Sequence, residues 1–172
     1  MRKCVQRGEQ LGAKSIAFPV IGTGNLNFPR DAASRIMLEE TISFCQANPA
    51  SKVRDIRFVV FQGDQTLNAT FKQEMDKLKS KHKFRPPYIT SGLFRSIRSI
   101  SPVQITVQNE HLRIEVLQGD LWQETTDAIV NIASKDMNME TAGALSKAIK
   151  QKGGSRVQDE CNLLGQQSGG YY

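Results

Sequence analysis

The sequence predicts an α/β fold in which helices flank a mixed, mostly parallel sheet. In the first half of the 172-residue chain, apolar residues at helical spacing alternate with short β-rich runs, which is typical of parallel strands joined by helices. The second half opens on two β-rich runs around a turn, and this pattern predicts an antiparallel hairpin. With 39% hydrophobic and 23% charged residues, the composition is that of a globular protein.

The first half, residues 1–82, is predicted to form the order helix, strand, helix, strand, helix. Gly12 ends the first helix, and Asn48-Pro49 ends the second, whose predicted apolar face includes Ile36. The predicted helices cover 2–12, 30–47 and the apolar positions from Leu67 to Leu78, and the predicted strands cover 15–21 and 57–61.

The second half begins after a segment that is poor in regular structure. Residues 83–103 contain prolines, a glycine and several serines, so we expect a linker there. Beyond it, the patterns predict a hairpin of strands 104–107 and 112–117, a buried strand over 127–131, and helices over 143–152 and 155–165. Gly153-Gly154 separates the two helices.

A glycine-rich loop follows the first predicted strand directly. Residues 22–29 are Gly-Thr-Gly-Asn-Leu-Asn-Phe-Pro, and the next helix begins near Arg30. Gly22 and Gly24 permit positive φ angles and the close approach of a ligand to backbone N–H groups, while a helix N-terminus favours negative charge. The loop is therefore predicted to bind phosphate, and a tight structural turn is the alternative.

The overall charge favours an anionic partner, since the net charge is +6 and the isoelectric point is about 9.4. Positive charge is densest over residues 72–98, which leaves nucleic-acid binding as an alternative function. Aromatic residues are not interleaved there as they are in a stacking platform, so a solvated helix end and linker is the favoured interpretation.

Disulfides, metals and membranes are not expected to contribute. Cys4, Cys45 and Cys161 are widely spaced and indicate reduced thiols. No metal site is predicted, because His82 and His111 have no cysteine or carboxylate at ligand spacing. No apolar run approaches the roughly 20 residues that a membrane helix needs, so no membrane partner is expected.

Several of these motifs resemble the macrodomain family, whose members bind ADP-ribose. Gly119-Asp120-Leu121 at a strand end, followed by Thr-Asp-Ala-Ile-Val-Asn at 126–131, resembles the opening of a macrodomain. Residues 15–29 resemble that family's later strand and diphosphate loop. The strings at 14–19 and 144–149 are most similar to multi-macrodomain members of the poly(ADP-ribose) polymerase family, of which the B-aggressive-lymphoma group is typical.

The two matches occur in reversed order relative to one macrodomain. The resemblance therefore implies a junction of tandem macrodomains: residues 1–82 are the C-terminal half of one, 83–103 are the linker, and 104–172 are the N-terminal half of the next. The alternative is that 104–172 followed by 1–82 form one permuted, macrodomain-like unit.

The resemblance also implies roles for particular residues. Asp120 would accept a hydrogen bond from the adenine amino group, with the backbone N–H of Leu121 beside it, and the ring of Phe61 would pack on adenine. The glycine loop would bind the diphosphate and the distal ribose. The expected ligand-binding residues are Gly22, Thr23, Gly24, Asn25, Leu26, Phe61, Asp120, Leu121, Asn131 and Ser134. Turn capping is the alternative role of Asp120, and core packing is the alternative role of Phe61.

Two departures from the family pattern bear on catalysis. Ser134 stands where the active members have an asparagine that touches the distal ribose and assists hydrolysis, and the loop at 139–143 keeps one glycine. We therefore expect no catalytic residue in this chain and favour ligand binding, with ADP-ribosyl hydrolysis as the alternative.

The function that the resemblance implies is the binding of ADP-ribose or of mono-ADP-ribosylated proteins. The module would belong to a larger mono-ADP-ribosyltransferase that uses NAD as its substrate. No cofactor is expected in this fragment, whose ligand would be ADP-ribose. The resemblance also implies that the parent protein acts inside the cell, in the nucleus, the cytoplasm or both.

Overall fold

The computed structural model describes residues 1–24, 26–81, 103–107 and 112–167. The predicted linker lies outside these residues except for Val103, with which a strand begins. The part of the basic stretch beyond Lys81 also lies outside them, as does the turn of the predicted hairpin. The division into domains therefore stays a prediction.

The described residues form five helices and five strands, together with one short 3₁₀ turn at Leu121–Gln123. The helices are α1 (Arg2–Gln10), α2 (Arg30–Ala47), α3 (Gln65–Lys81), α4 (Ala144–Gly153) and α5 (Ser155–Gln167). The strands are β1 (Ser15–Pro19), β2 (Asp55–Val60), β3 (Val103–Val107), β4 (Leu112–Gln118) and β5 (Ala128–Ile129).

All five strands lie in one sheet, in the order β3-β4-β2-β1-β5. The neighbouring pairs β4–β2, β2–β1 and β1–β5 are parallel, whereas β3 and β4 are antiparallel. The sheet is thus mixed and mostly parallel, and the predicted fold class is confirmed. The two strands of the first half, β2 and β1, are neighbours in its middle and lie between β4 and β5 of the second half.

One face of the sheet carries the main hydrophobic core. Phe18 of β1, Phe58 of β2 and Phe71 of α3 are fully buried, and their rings are stacked in sequence with centroids 6.1 and 5.3 Å apart. Buried side chains from α1, α2 and α3 join the same cluster. Because β4 also contributes Ile114 and Val116 to this cluster, burial of apolar area holds the two halves of the chain together.

The opposite face carries a smaller apolar cluster and a group of charges. Ala17, Val59 and Leu121 are buried together, and Leu145 of α4 packs against them. Beside this cluster, the guanidinium of Arg57 lies within 3.3 Å of carboxylates of Asp55, Glu115 and Glu124. Those partners come from β2, from β4 and from the segment after the 3₁₀ turn, so the ion pairs also connect the two halves.

Three expectations about local structure are corrected. The strand predicted over 127–131 is only Ala128–Ile129, and Ile129 is 37% exposed rather than buried, because β5 is an edge strand that pairs with β1 alone. Strand β1 ends at Pro19, two residues early. Ile36 is 48% exposed, since Met37 and Ile42 occupy the face of α2 that packs into the core.

None of the helices within the described residues has the length and hydrophobicity needed to span a bilayer. All three cysteines are free thiols, as expected, and each lies in a helix. Burial raises the pKa of the Cys45 and Cys161 thiols, which keeps both protonated at neutral pH.

Candidate functional site

The carboxyl ends of the four parallel strands meet at one edge of the sheet. The glycine loop follows β1 and Phe61 follows β2, while Asp120 and Asn131 each lie two positions beyond the end of their strand, β4 and β5. Open parallel sheets place their ligand crevice at this edge. The fold therefore brings every predicted site segment to the same side of the molecule.

A cavity of about 410 Å³ opens between these loops. Both halves of the sequence contribute to its walls. The lining residues are Pro19, Val20, Gly22, Thr23, Gly24, Leu26, Val59, Phe61, Asp64, Leu67, Ile132, Ala142, Ala144 and Leu145. Most of these residues are apolar or small, which is typical of a pocket for an organic ligand.

The glycine loop forms one wall and is closed by its own backbone. The N–H of Phe28 donates to the carbonyl of Gly22 at 3.0 Å, and the N–H of Asn27 donates to the carbonyl of Gly24 at 2.8 Å. Gly22 has a φ of +88°, which strongly favours glycine, but Gly24 does not have a positive φ, contrary to expectation. A Cβ on Gly24 would meet nothing within 4 Å, so this position is open toward a ligand.

The N-terminus of α4 also lines the cavity. Ala144 and Leu145, its first two residues, line the cavity, and Gly143 before them makes no side-chain cap. The first N–H groups of a helix have no partner within the helix and favour negative charge. The cavity is thus lined on two sides by backbone elements that suit a phosphate group.

Phe61 projects at the rim of the cavity. Its side chain is 66% exposed, which excludes the core-packing alternative. A Cβ on Gly63 would lie 2.9 Å from Cε1 of the Phe61 ring, so the ring rests directly on the bare backbone of Gly63. An exposed aromatic ring at a pocket rim offers a flat surface on which a base can stack.

Asp64 supplies a carboxylate to the cavity wall. One oxygen, Oδ1, accepts from the N–H of Leu67 at 2.9 Å and thereby caps α3, while Oδ2 accepts from Nη2 of Arg30 at 3.1 Å. The hydrogen bond from Leu67, and secondarily the nearby Arg30, lowers the pKa of Asp64. The carboxylate is therefore ionised at neutral pH.

Asp120 and Leu121 lie next to the cavity but are not among its lining residues. The Asp120 carboxylate accepts from Nε2 of Gln62 at 2.8 Å, so a side chain of the β2–α3 loop already occupies it. Leu121 is 4% exposed and belongs to the small apolar cluster. The backbone N–H of Gly119 donates to the Val60 carbonyl at 2.9 Å, which keeps the ends of β4 and β2 together.

Asn131 and Ser134 are engaged within the second half of the chain. Oδ1 of Asn131 accepts from the Ser146 hydroxyl of α4 at 3.0 Å. The Ser134 hydroxyl donates to Asp136, and this hydrogen bond, together with one from the Asn138 N–H, lowers the pKa of the Asp136 carboxyl. Neither residue is among those that line the cavity, and Asn25 lies outside the described residues.

The part of the chain that the structure describes contains no candidate metal site. No three histidine, cysteine or carboxylate side chains come together there in a way that could hold an ion.

Known proteins with sequences similar to this chain include macrodomain proteins. The model of the Macro domain family matches residues 1–37, which include the glycine loop. Human protein mono-ADP-ribosyltransferase PARP14 is 29% identical over 171 residues, or 97% of this chain. A macro domain-containing protein of Streptomyces coelicolor, SCO6450, is 38% identical over 60 residues, or 35% of this chain and 32% of its own length.

A solved structure shows the same fold. The APL macrodomain of Oryza sativa, determined in complex with ADP-ribose, superposes with a TM-score of 0.54 at 19% identity, covering 80% of this chain and 55% of that one. The resemblance to the macrodomain family is confirmed. This chain spans only 9% of the length of human PARP14, so properties of the whole relative do not transfer with the macrodomain match.

Several residues that line the cavity are not among the expected binding residues. They include Asp64 and, beside the start of α4, Ala142, Ala144 and Leu145. The sequence did indicate that Asp64 caps a helix, because an aspartate directly before a helical pattern is a strong N-cap candidate. Nothing in the sequence placed that cap beside the glycine loop, since the contact depends on how α2 and α3 pack.

Proposed function

We propose that this chain is a binding module for ADP-ribose, either free or attached to a protein as a mono-ADP-ribosyl group. The observation that carries the proposal is the cavity between the glycine loop and the N-terminus of α4, with the exposed ring of Phe61 at its rim. Its volume of about 410 Å³ lies in the range of small-molecule sites. The ligand in the rice macrodomain structure is ADP-ribose, whose diphosphate and adenine correspond to these two features of the cavity.

Each part of ADP-ribose has a counterpart in the cavity. The diphosphate is bound by backbone N–H groups of the glycine loop at Gly22, Thr23 and Gly24 and by the first turn of α4, since glycine-rich loops and helix N-termini both favour an anion. Adenine stacks on Phe61, which is 66% exposed. The small side chains of Ala142 and Ala144 leave room for the distal ribose.

The proposal is one of binding without hydrolysis. The Ser134 hydroxyl donates to Asp136, and Asn131 accepts from Ser146, so neither side chain is directed at a water in the cavity. Incubation with a mono-ADP-ribosylated protein tests this part. We expect the modified protein to be retained without loss of its ADP-ribose, and release of free ADP-ribose would contradict the proposal.

The parent protein is proposed to be an NAD-dependent mono-ADP-ribosyltransferase. Support comes from the alignment with human PARP14 along 97% of this chain. The module would recruit the parent enzyme to proteins that already carry ADP-ribose.

Calorimetric titration with ADP-ribose tests the binding function. We expect saturable heat from the wild-type chain, a large loss in Gly24→Glu because the open space at Gly24 would hold a carboxylate that repels phosphate, and a smaller loss in Phe61→Ala. Gly165→Glu in α5 is the matched control, since a Cβ there meets only Met137 at ordinary contact distance. Absence of heat from the wild-type chain would overturn the proposed function.

A further inference from the structure

Among the described residues that line the cavity, Asp64 alone is ionisable. The proposed ligand carries two phosphate charges, and a carboxylate in the wall of its site would repel them. An acidic side chain at this position therefore needs a compensating charge if the cavity is to bind an anion.

Arg30, at the end of the glycine loop, supplies that charge. It is the first residue of α2, directly after the loop, and its Nη2 lies 3.1 Å from Oδ2 of Asp64 on the β2–α3 segment. The ion pair is accessible, since the side chains are 47% and 28% exposed. The guanidinium thus stands beside the cavity, where it can be shared between Asp64 and a bound anion.

The geometry of Asp64 holds this arrangement in place. Its other oxygen caps α3 through the Leu67 N–H at 2.9 Å, so the carboxylate cannot turn away from the cavity without uncapping the helix. The Arg30 guanidinium therefore pairs with a carboxylate whose position is fixed. This ion pair connects the end of the glycine loop to the start of α3.

We propose that Arg30 is a specificity-determining residue of this cavity, which neutralises Asp64 and so allows a ligand with a negatively charged diphosphate to enter. This inference rests on the proposed function. The cavity without Arg30 would retain its apolar walls and Phe61 but would disfavour phosphate. It would then bind a neutral nucleoside as well as before and a nucleoside diphosphate less well.

Titrations with ADP-ribose and with adenosine separate these effects. Arg30→Gln is expected to weaken ADP-ribose binding by about fivefold, the effect of about one accessible charge interaction, and to change adenosine binding by less than about twofold. Arg30→Lys keeps the charge and is expected to retain most of the affinity. Arg35→Gln, an exposed arginine one turn further along the same helix, is the matched control.

Asp64→Asn and the double variant complete the test. Asparagine is as good an N-cap as aspartate, so α3 should keep its cap, while removal of the negative charge should strengthen ADP-ribose binding. The double variant Arg30→Gln/Asp64→Asn is expected to return to within about threefold of wild type, because the two charges act on each other. Circular dichroism of each variant checks that the fold is retained.

The outcomes distinguish this inference from the function on which it rests. If the wild-type chain binds ADP-ribose and Arg30→Gln binds it equally well, or loses adenosine binding to the same extent, the inference is wrong and the function stands. Weaker ADP-ribose binding in Asp64→Asn would also overturn it. If the wild-type chain binds no ADP-ribose, the function and this inference fall together.

Discussion

Three hydrogen bonds join Ser15 and Asp127 across 112 positions of the sequence. The Ser15 hydroxyl donates to Oδ2 of Asp127 at 2.9 Å, and the backbone N–H of Asp127 donates to the Ser15 hydroxyl at 2.8 Å. The same carboxylate oxygen accepts from the backbone N–H groups of Lys14 and Ser15 at 2.8 and 2.9 Å. These hydrogen bonds join the start of β1 to the start of β5. They set the register of this edge strand, which leads into the candidate binding site.

Removal of the Asp127 carboxylate should therefore loosen β5. We expect Asp127→Ala to lower the free energy of unfolding and to weaken ADP-ribose binding, because Ile132 and the loop before α4 follow directly from β5. Urea denaturation and calorimetry measure the two effects. Asp159→Ala, at an exposed position of α5, is the control and should leave both quantities near wild type.

The stability of the fold should fall in acid. Hydrogen bonds from the N–H of Lys14 and from Ser15 lower the pKa of the Asp127 carboxyl. A hydrogen bond from the N–H of Leu67 likewise lowers the pKa of the Asp64 carboxyl. A carboxyl whose pKa is lower in the folded state stabilises the fold above its unfolded pKa of about 3.9, and this contribution is lost as the pH falls through the folded value.

Urea denaturation at a series of pH values below 5 checks this dependence. The wild-type free energy of unfolding should decrease as the pH falls, and Asp127→Asn should show a shallower decrease, since its side chain cannot be protonated. Equal slopes for the two proteins would show that Asp127 contributes nothing to the acid transition.

Arg57 balances the negative charge of three carboxylates, so its replacement should lower the free energy of unfolding. Arg57→Met is expected to destabilise the fold by about 3 kcal/mol, because Asp55, Glu115 and Glu124 would keep their negative charges with less compensation. Thermal denaturation gives the difference. Arg156→Met, at an exposed position of α5, provides a comparison, and an equal effect of the two substitutions would contradict the assigned role.

The interleaved sheet should unfold as one unit. Because β2 and β1 of the first half lie between β4 and β5 of the second half, separating the halves breaks two strand pairs of the sheet. The single tryptophan, Trp122, reports on the second half by fluorescence, whereas α1, α2 and α3 of the first half dominate the far-ultraviolet circular dichroism. We expect the two signals to change at the same urea concentration, and separate midpoints would contradict a single cooperative unit.

The contact between Gly63 and the Phe61 ring can be tested by a substitution at Gly63, which is not itself among the residues that line the cavity. In Gly63→Ala, the new Cβ would lie 2.9 Å from the ring and would push it aside. We expect ADP-ribose binding to weaken by about fivefold, equivalent to ~1 kcal/mol of lost stacking, with little change in stability. Gly165→Ala serves as control, and unchanged binding by Gly63→Ala would indicate that Phe61 does not contact the base.

The alternation of apolar residues was sufficient to predict the helices and strands of this chain in their correct order. Helix α2 begins and ends at the predicted residues, and β3 and β4 pair in antiparallel orientation as the predicted hairpin requires. The prediction was wrong for Ile129, because an apolar run has the same pattern in a central strand as in an edge strand. Whether a strand has one neighbour or two depends on distant parts of the chain.

The candidate site was predicted in part. Gly22, Thr23, Gly24, Leu26 and Phe61 line the cavity, and the glycine spacing and strand ends pointed to them. Asp64 and Leu145 also line it, and no local signal connects them to the glycine loop. Asp120 accepts from Gln62, a pairing between loops that are adjacent only because β4 and β2 pair in parallel.

By itself, the sequence determined the local features of this protein: its helices and strands, the positive φ of Gly22, and the glycine loop that precedes α2. These depend on backbone sterics and on the spacing of apolar residues within a few turns of chain. Only the tertiary structure decided that both halves share one sheet and one cavity, and that Arg30 meets Asp64. Such contacts follow from strand pairing and helix packing between residues far apart in sequence, which the burial of a common core selects.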